Sequence, residues 1–255
     1  NNSGGAISPT RLAVGEAADI EFAKALALKL NIEIAAEEPK AESGELYLRL
    51  SESGLSLVQD GRELRGDFST LLPRIRRDRL GSEMLIKASK LKCADGEKTA
   101  IDATAGLGED AFLLAAAGFS VTLFERDPVI AALLADAIRR AMSSPETASV
   151  AGRMQLVGSD SLEALPKLET RPGVILLDPM FPERQKSALI KKKFQLLQQL
   201  ELPCDDEAEL LAAALAAHPK KIVIKRPLKG PFLAGRKPDY SLSGKAIRYD
   251  CIVMA

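Results

Sequence analysis

The run Ile101-Asp-Ala-Thr-Ala-Gly-Leu-Gly-Glu-Asp-Ala-Phe112 sets two glycines and the carboxylates Asp102, Glu109 and Asp110 between an apolar segment and a helix-forming one. Gly106 and Gly108 permit a tight turn and let a ligand approach the backbone closely. Glu125 closes the next apolar run, Val121-Thr-Leu-Phe-Glu125, about twenty residues further on, where a carboxylate can accept from ribose hydroxyls. Glycine at such a turn can also serve simply to pack helix on strand, and the register Gly106-Leu-Gly108-Glu-Asp-Ala111 ends in Ala where a dinucleotide site prefers Gly. Asp102 separates the ligands. A carboxylate beside the turn can receive an ammonium group, whereas a pyrophosphate gains nothing from it. The turn therefore favours S-adenosylmethionine over a nicotinamide dinucleotide. Gly158-Ser-Asp160-Ser161 follows the apolar Met154-Gln-Leu-Val157, and Asp160 there can accept from an adenine amine, cap a helix over Leu162–Leu168, or do both.

The second chemical stretch, Leu176-Leu-Asp178-Pro-Met-Phe-Pro182, ends an apolar run with an acid, two prolines and an aromatic. It resembles the Asp/Asn-Pro-Pro-Phe/Tyr motif of amino-group methyltransferases, with Met180 at the usual second proline. An exocyclic amine conjugated to a base is a poor nucleophile until hydrogen bonds orient it and draw its lone pair out of conjugation. Asp178 and the Pro179 carbonyl are suited to accept those bonds, Phe181 to stack an extruded base, and the prolines to stiffen the loop. A sulfonium leaving group removes the need for a strong base. The plain alternative is a capped strand end with a rigid exit. His218, the single histidine, falls in a loop-like His218-Pro-Lys-Lys221 ahead of a strand, which disfavours hydrolase triads that depend on histidine.

Basic residues flank this motif: Arg184, Lys186 and Lys191–Lys193 follow it, and Lys220, Lys221, Lys225-Arg226-Pro227 and Lys229 surround the exit of the next strand. Arg184, Lys186, Lys225 and Arg226 read as phosphate contacts, with a solvated helix face as the alternative for Lys191–Lys193. Arg74 and Arg77, in a linker with Arg76 and Arg79, can add a second grip on a folded RNA. The net charge over 255 residues is zero, which excludes a uniformly basic nucleic-acid binder, yet residues 1–70 carry a net −5 and residues 180–255 a net +6. Aromatic residues make up 4% with no Trp, too few for a broad single-strand platform.

Alternating strands and helices must position these groups. From Lys98 onward the pattern predicts strands at Thr99–Ala103, Ser120–Glu125, Met154–Val157, Val174–Asp178, Lys221–Lys225 and Lys245–Met254. Helices are expected at Asp110–Ala117, Val129–Met142, near Lys186–Leu200 and at Glu207–Ala217, a βαβ order with buried parallel strands. Ser82 is placed to cap a helix that runs to Leu91. Ahead of these elements, Ile20, Phe22, Ala23, Leu26 and Leu30 recur at helical spacing, and Leu46–Leu50 and Leu55–Gln59 open a three-stranded meander ending near Phe68. The expected domains are 1–72, a small α/β unit, and 73–255. Cys93, Cys204 and Cys251 form no CxxC pair, which argues against a disulfide framework or a zinc site. No apolar run approaches a membrane span, and the opening residues lack an export signal, so a soluble cytoplasmic protein is expected.

With these motifs in view, residues 64–254 resemble the bacterial small-subunit ribosomal RNA guanine-N2 methyltransferases of the RsmJ (YhiQ) type. The resemblance is carried by Gly81-Ser-Glu before an Ala/Lys helix, Asp102-Ala-Thr-Ala-Gly-Leu-Gly, Asp110-Ala-Phe and Phe124-Glu-Arg-Asp-Pro128. Asp178-Pro-Met-Phe-Pro-x-x-Gln-Lys-Ser-Ala188, Lys225-Arg-Pro227 and Gly244-Lys-x-x-Arg-Tyr-Asp250 complete it. It implies a class I, Rossmann-like α/β fold with a mostly parallel seven-stranded sheet, S-adenosylmethionine as donor, and a guanosine N2 in 16S ribosomal RNA as acceptor. It also implies cofactor contacts at Glu109-Asp110, Glu125-Arg126, Asp160-Ser161 and Asp178, although Glu109 stands where the family is expected to have Arg and Asp160 where Ser is frequent. The rival expectations are a DNA or protein-amide N-methyltransferase, a non-catalytic RNA-binding or assembly module, and, third, a nicotinamide oxidoreductase.

Overall fold

Leu48 faces Leu57 and Leu50 faces Leu55 across an antiparallel pair, so the leucine alternation builds the expected hairpin. It belongs to a computed structural model that describes residues 8–16, 18–91, 98–179, 196 and 206–254. These residues divide between two compact units, one from the described parts of Asn1–Asp67 and Asp127–Arg140, the other from those of Phe68–Arg126, Ala141–Phe181 and Cys204–Ala255.

The first unit carries a five-stranded sheet in the order β2-β1-β3-β4-β5, with β1 Arg11–Val14, β2 Glu33–Ala35, β3 Tyr47–Ser51, β4 Gly54–Gln59 and β5 Arg62–Leu64. Helix α1, Ile20–Leu30, joins the parallel strands β1 and β2. Asp19 starts it by accepting from the amides of Glu21 and Phe22, both at 3.0 Å, and Asn31 ends it in the left-handed region at φ 53°. The meander β3-β4-β5 is the expected one. Strands β1 and β2 escape the sequence pattern because four and three residues are too short to show alternation.

The second unit begins with a 3-10 turn at Phe68–Leu71 and the short helices α2 Leu72–Ile75, α3 Arg77–Leu80 and α4 Met84–Ala88. Ser82 is not the cap of α4: its hydroxyl donates to the Arg79 carbonyl at 2.6 Å, and Glu83 stands at the N-cap without a side-chain bond. Strands β6 Thr99–Asp102, β7 Ser120–Phe124, β8 Met154–Val157, β9 Val174–Leu177, β10 Lys221–Pro227, β11 Tyr240–Ser243 and β12 Ile247–Val253 form one sheet in the order β8-β7-β6-β9-β10-β12-β11. All neighbours are parallel except β12, which runs antiparallel to β10 and β11. Helices α5 Glu109–Ala116, α6 Pro128–Met142, α7 Ala148–Ala151, α8 Ser161–Ala164 and α9 Glu207–Ala216 lie between the strands. Val174–Leu177 is wholly buried, as are Ile222, Val223 and Ile224, because strands at the centre of a covered sheet are apolar on both faces. One side of the sheet packs Ile101, Ile175, Leu177, Ile222 and Ile224 against Leu210, Leu211 and Ala214 of α9. The chain runs outward from β6 to β8 and returns to β9 on the other side of β6. This topological switch falls at the carboxyl ends of β6 and β9, the place where open α/β sheets bind their ligands.

Helix α6, expected within the larger domain, contributes most of its length to the first unit. Its buried Asp136 accepts from the Leu55 amide at 2.9 Å, Arg140 Nε at 2.7 Å and Arg139 at 2.6 Å, and Arg140 also donates to the Gly66 carbonyl. Gly54 makes this approach possible: at φ +110° a side-chain carbon would lie 2.3 Å from Arg140 Nε. Replacing Asp136 by Ala strands a strand-edge amide and a half-buried guanidinium, so urea unfolding should show a loss of about 3 kcal/mol. A variant as stable as the parent would mean that the Asp136 bonds contribute nothing to this unit.

Candidate active site

Asp102 is the last residue of β6 and only 2% exposed. Its Oδ1 accepts from the Thr104 amide at 3.2 Å, which turns the chain out of the strand. The turn is stitched to both neighbouring strands, since the Ala103 amide donates to Leu176 of β9 and the Ala105 amide to Phe124 of β7, each at 3.0 Å. Gly106 and Gly108 follow at φ +53° and +77°, and the Gly106 amide donates to Glu125 Oε2 at 2.9 Å. A side chain at Gly106 would meet no protein atom within 4 Å, so backbone conformation, and not crowding, calls for glycine. The face it leaves bare suits close approach by a ligand.

Three carboxylates gather at this edge. Lys225 Nζ, near the end of β10, bridges Asp110 Oδ2 in the first turn of α5 at 2.7 Å and Asp178 Oδ2 just beyond β9 at 2.9 Å. The Asp178 amide donates to Thr104 Oγ1 at 2.7 Å, which ties the loop after β9 to the glycine turn. Burial pushes the Asp102 carboxyl up to about 8, with Asp110 and Asp178 adding to the rise and the Thr104 amide and Lys225 opposing it. Desolvation likewise raises Asp178, and Lys225 pulls it back. For Lys225, desolvation disfavours the ammonium, but Asp110 and Asp178 outweigh it and hold the lysine charged. Tyr249, opposite Lys225 on β12, is raised by burial and then by Asp110, so its hydroxyl keeps its proton. Asp110 and Asp178 share the ammonium of Lys225, with Asp102 beside them, so the cluster suits a cation. That donor set fits S-adenosylmethionine, which carries a sulfonium and an ammonium.

The other expected residues distribute unevenly. Glu109 opens α5 on an exposed position, and Arg126 follows Glu125 and pairs with Asp206 at 3.0 Å. Asp160 caps α8 through the Leu162 amide at 2.9 Å, and Ser161 is buried beside it; both follow β8 at the same sheet edge. Pro179 is buried next to Asp178. Phe181, Arg184 and Lys186, like Met180 and the helix expected near 186–200, lie outside the described residues.

Two phosphate contacts are corrected. Arg226 is 1% exposed, pairs with Glu207 at 3.1 Å and donates to the Pro231 carbonyl at 3.0 Å, so it is a core residue and cannot face a phosphate. Lys225 is committed to Asp110 and Asp178 instead of a phosphate. Lys220 precedes β10 and Lys221 opens it, both at the opposite, amino edge, where Lys221 donates to the carbonyls of Ala88 and Lys90. Arg74 forks onto Glu83 at 2.8 and 2.9 Å, and Arg77 is exposed on α3. Thr104 and Tyr249 are the site residues that motif spacing passes over. Thr104 had one available signal, a hydroxyl between the acid and the first glycine.

A family model described as SAM-dependent methyltransferase matches residues 29–254. Ribosomal RNA small subunit methyltransferase J of Thioalkalivibrio sulfidiphilus is 42% identical over 97% of this chain and 99% of its own length. Its namesake in Pseudomonas aeruginosa is 40% identical over 90% of this chain and 89% of its own. The crystal structure of a SAM-dependent methyltransferase from Neisseria gonorrhoeae superposes with a TM-score of 0.76 at 32% identity, covering 96% of each chain. The sheet is that of a class I methyltransferase, and S-adenosylmethionine is the cofactor.

The raised Asp102 carboxyl has a signed consequence for stability. The folded protein keeps a proton that the unfolded chain releases above the usual carboxylate range, so stability falls as pH rises toward about 8 and levels off beyond it. The slope should approach ~1.4 kcal/mol per pH unit at its steepest. Asp102→Asn removes this dependence, and urea-unfolding series from pH 5 to 9 should show the variant gaining on the parent with rising pH. A constant difference across that range would place the Asp102 titration elsewhere.

Proposed function

This chain belongs to the SAM-dependent methyltransferase family that includes ribosomal RNA small subunit methyltransferase J, and from that premise we propose that it methylates the exocyclic N2 amine of a guanosine in 16S ribosomal RNA. The observation that carries the proposal is the Asp102–Asp110–Lys225–Asp178 cluster, where a turn fit for a cationic cofactor adjoins an acid fit to receive an amine. The names of the relatives, which act on small-subunit ribosomal RNA, support the acceptor.

S-adenosylmethionine supplies a methyl group on a sulfonium whose positive charge disappears on transfer. In this reading Asp102, Gly106, Gly108, Glu109 and Asp110 hold its methionine end, Glu125 and Arg126 its ribose, and Asp160 and Ser161 its adenine. The Asp178 carboxylate and the Pro179 carbonyl accept the hydrogens of the target amine, align its lone pair and take up the proton it sheds. Phe181 stacks the base. Lys225 opposes the rise that burial imposes on Asp178 and so favours its ionised form, the state in which it accepts but cannot donate. The methyltransferase domain would occupy 73–255, with 1–72 as a smaller N-terminal domain. Among the described residues no helix is long and apolar enough to cross a membrane.

Purified protein incubated with labelled S-adenosylmethionine and 16S ribosomal RNA or small subunits from cells lacking its gene should yield N2-methylguanosine by mass spectrometry. Asp178→Ala should lower the rate by about a thousandfold. Another modified nucleoside, or an active Asp178→Ala, would sink the proposal. Lys225→Met should act through pH: without the ammonium, burial and Asp110 push Asp178 up, so its active, ionised form requires more alkaline solution. The variant's deficit should be about tenfold greater at pH 6.5 than at pH 8.5 and be relieved by Lys225→Arg. Parallel pH–rate profiles would deny Lys225 this role.

A further inference from the structure

Two buried arginines shape the loop that leaves β10. Arg248, near the start of β12, turns its Nε to Asp250 Oδ1 and Oδ2 at 2.9 and 3.1 Å. Its Nη1 reaches the carbonyls of Pro227, Leu228 and Gly230, each at 2.9 Å, and its Nη2 that of Pro231 at 3.3 Å. Arg226 Nε donates to the same Pro231 carbonyl. Four carbonyls of Pro227–Pro231 are thereby turned inward onto guanidinium groups, and the negative ends of those peptide dipoles are withdrawn from the outer face. The Leu228 amide joins the loop to the β11–β12 turn through the Ala246 carbonyl at 2.9 Å, and the Gly230 amide closes it on Pro227 at 3.0 Å.

The outer face carries the opposite sign. Lys229 and Phe232 are exposed on the loop and Lys245 on the adjoining turn, and neither 227–238 nor 244–249 contains a carboxylate. Phe232 is 38% exposed and rests over the Arg248 guanidinium, 5.1 Å from the ring centroid, so an aromatic face stands on a cationic support. The loop leaves the sheet at the carboxyl edge that holds Asp178. Lys229 follows Lys225 by four residues, which limits their separation along the chain to ~14 Å. A polyanion that presents one base to Asp178 must lay neighbouring phosphates over this edge.

We propose that the Pro227–Phe232 loop and the turn bearing Lys245 form the docking surface for the phosphate backbone of the RNA acceptor, with Phe232 as a stacking face for an unpaired base. The proposal rests on the RNA-methyltransferase reading of the site. Lys229 and Lys245 supply the charge, and Arg226 and Arg248 hold the loop in its binding shape, which limits the ordering cost of docking.

The test is binding of a protein-free 16S ribosomal RNA transcript across a potassium chloride series, alongside S-adenosylmethionine affinity and methyl transfer. Reversing both charges, Lys229→Glu with Lys245→Glu, should weaken RNA binding at least tenfold at low salt. It should also reduce the slope of log Kd against log salt by ~0.7–0.9 for each lost phosphate contact. Cofactor affinity should be unchanged and the RNA KM raised, with kcat at saturating RNA within about twofold. Phe232→Ala should weaken binding about tenfold without altering the slope. Lys220→Glu, the same reversal at the amino edge, should alter neither quantity. A double variant with the parent's slope and KM, or an equal loss from Lys220→Glu, would overturn the docking surface while leaving the methyltransferase reading standing. A parent protein that binds cofactor but no RNA would overturn both.

Discussion

Carboxylates cannot share a poorly solvated edge without a cation, and that Coulombic constraint organises the second unit. Asp102, Asp110 and Asp178 arrive there from three elements, and among the described residues Lys225 is the ammonium that bridges two of them. Lys225 reaches them because β10 lies beside β9, with Ile224 opposite Leu177, which brings the next residue of each strand to the same level. Asp102 responds differently, by holding its proton until pH approaches about 8. Under the proposed function, an arriving sulfonium cofactor settles the remaining imbalance, and the neutral thioether left after transfer restores it, a bias toward exchange of spent cofactor for fresh.

The sheet makes this gathering of charge tolerable by immobilising everything around it. Apolar β9 and β10 are buried on both faces, and α9 seals one of them with Leu210, Leu211 and Ala214. The glycine turn is bonded to strands on either side, so its left-handed residues are held by the ladder. Stability is concentrated directly beneath the chemistry, where the groups that repel one another have least freedom to move apart.

Much of this was legible in the sequence because the signals were local. A strand, two glycines and a helix occur in twelve consecutive residues, and Glu125 and Asp178 each end an apolar run, so periodicity places them at one sheet edge. The misreadings have a common cause. Consecutive residues of a strand point to opposite faces, so Lys225 and Arg226 cannot share a role, and the sequence does not state which face meets solvent. Arg226 turns toward Glu207 on α9, a partner nineteen residues upstream that no spacing rule would select. Lys220 and Lys221 lie at the other end of the apolar strand that carries Lys225, where they mark its entry. Asp160 caps a helix, as one of its two sequence readings required, and the cap leaves its other proposed role compatible with the fold.

Thr104 works as a gauge between two loops. Its amide fixes Asp102 and its hydroxyl receives the amide of Asp178, so two acids from different strands are referenced to one residue. Misalignment between them therefore accumulates over a handful of bonds and not over the width of the sheet. A change at residue 104 would therefore release both loops at once, since one amide and one hydroxyl tie Asp102 and Asp178 together.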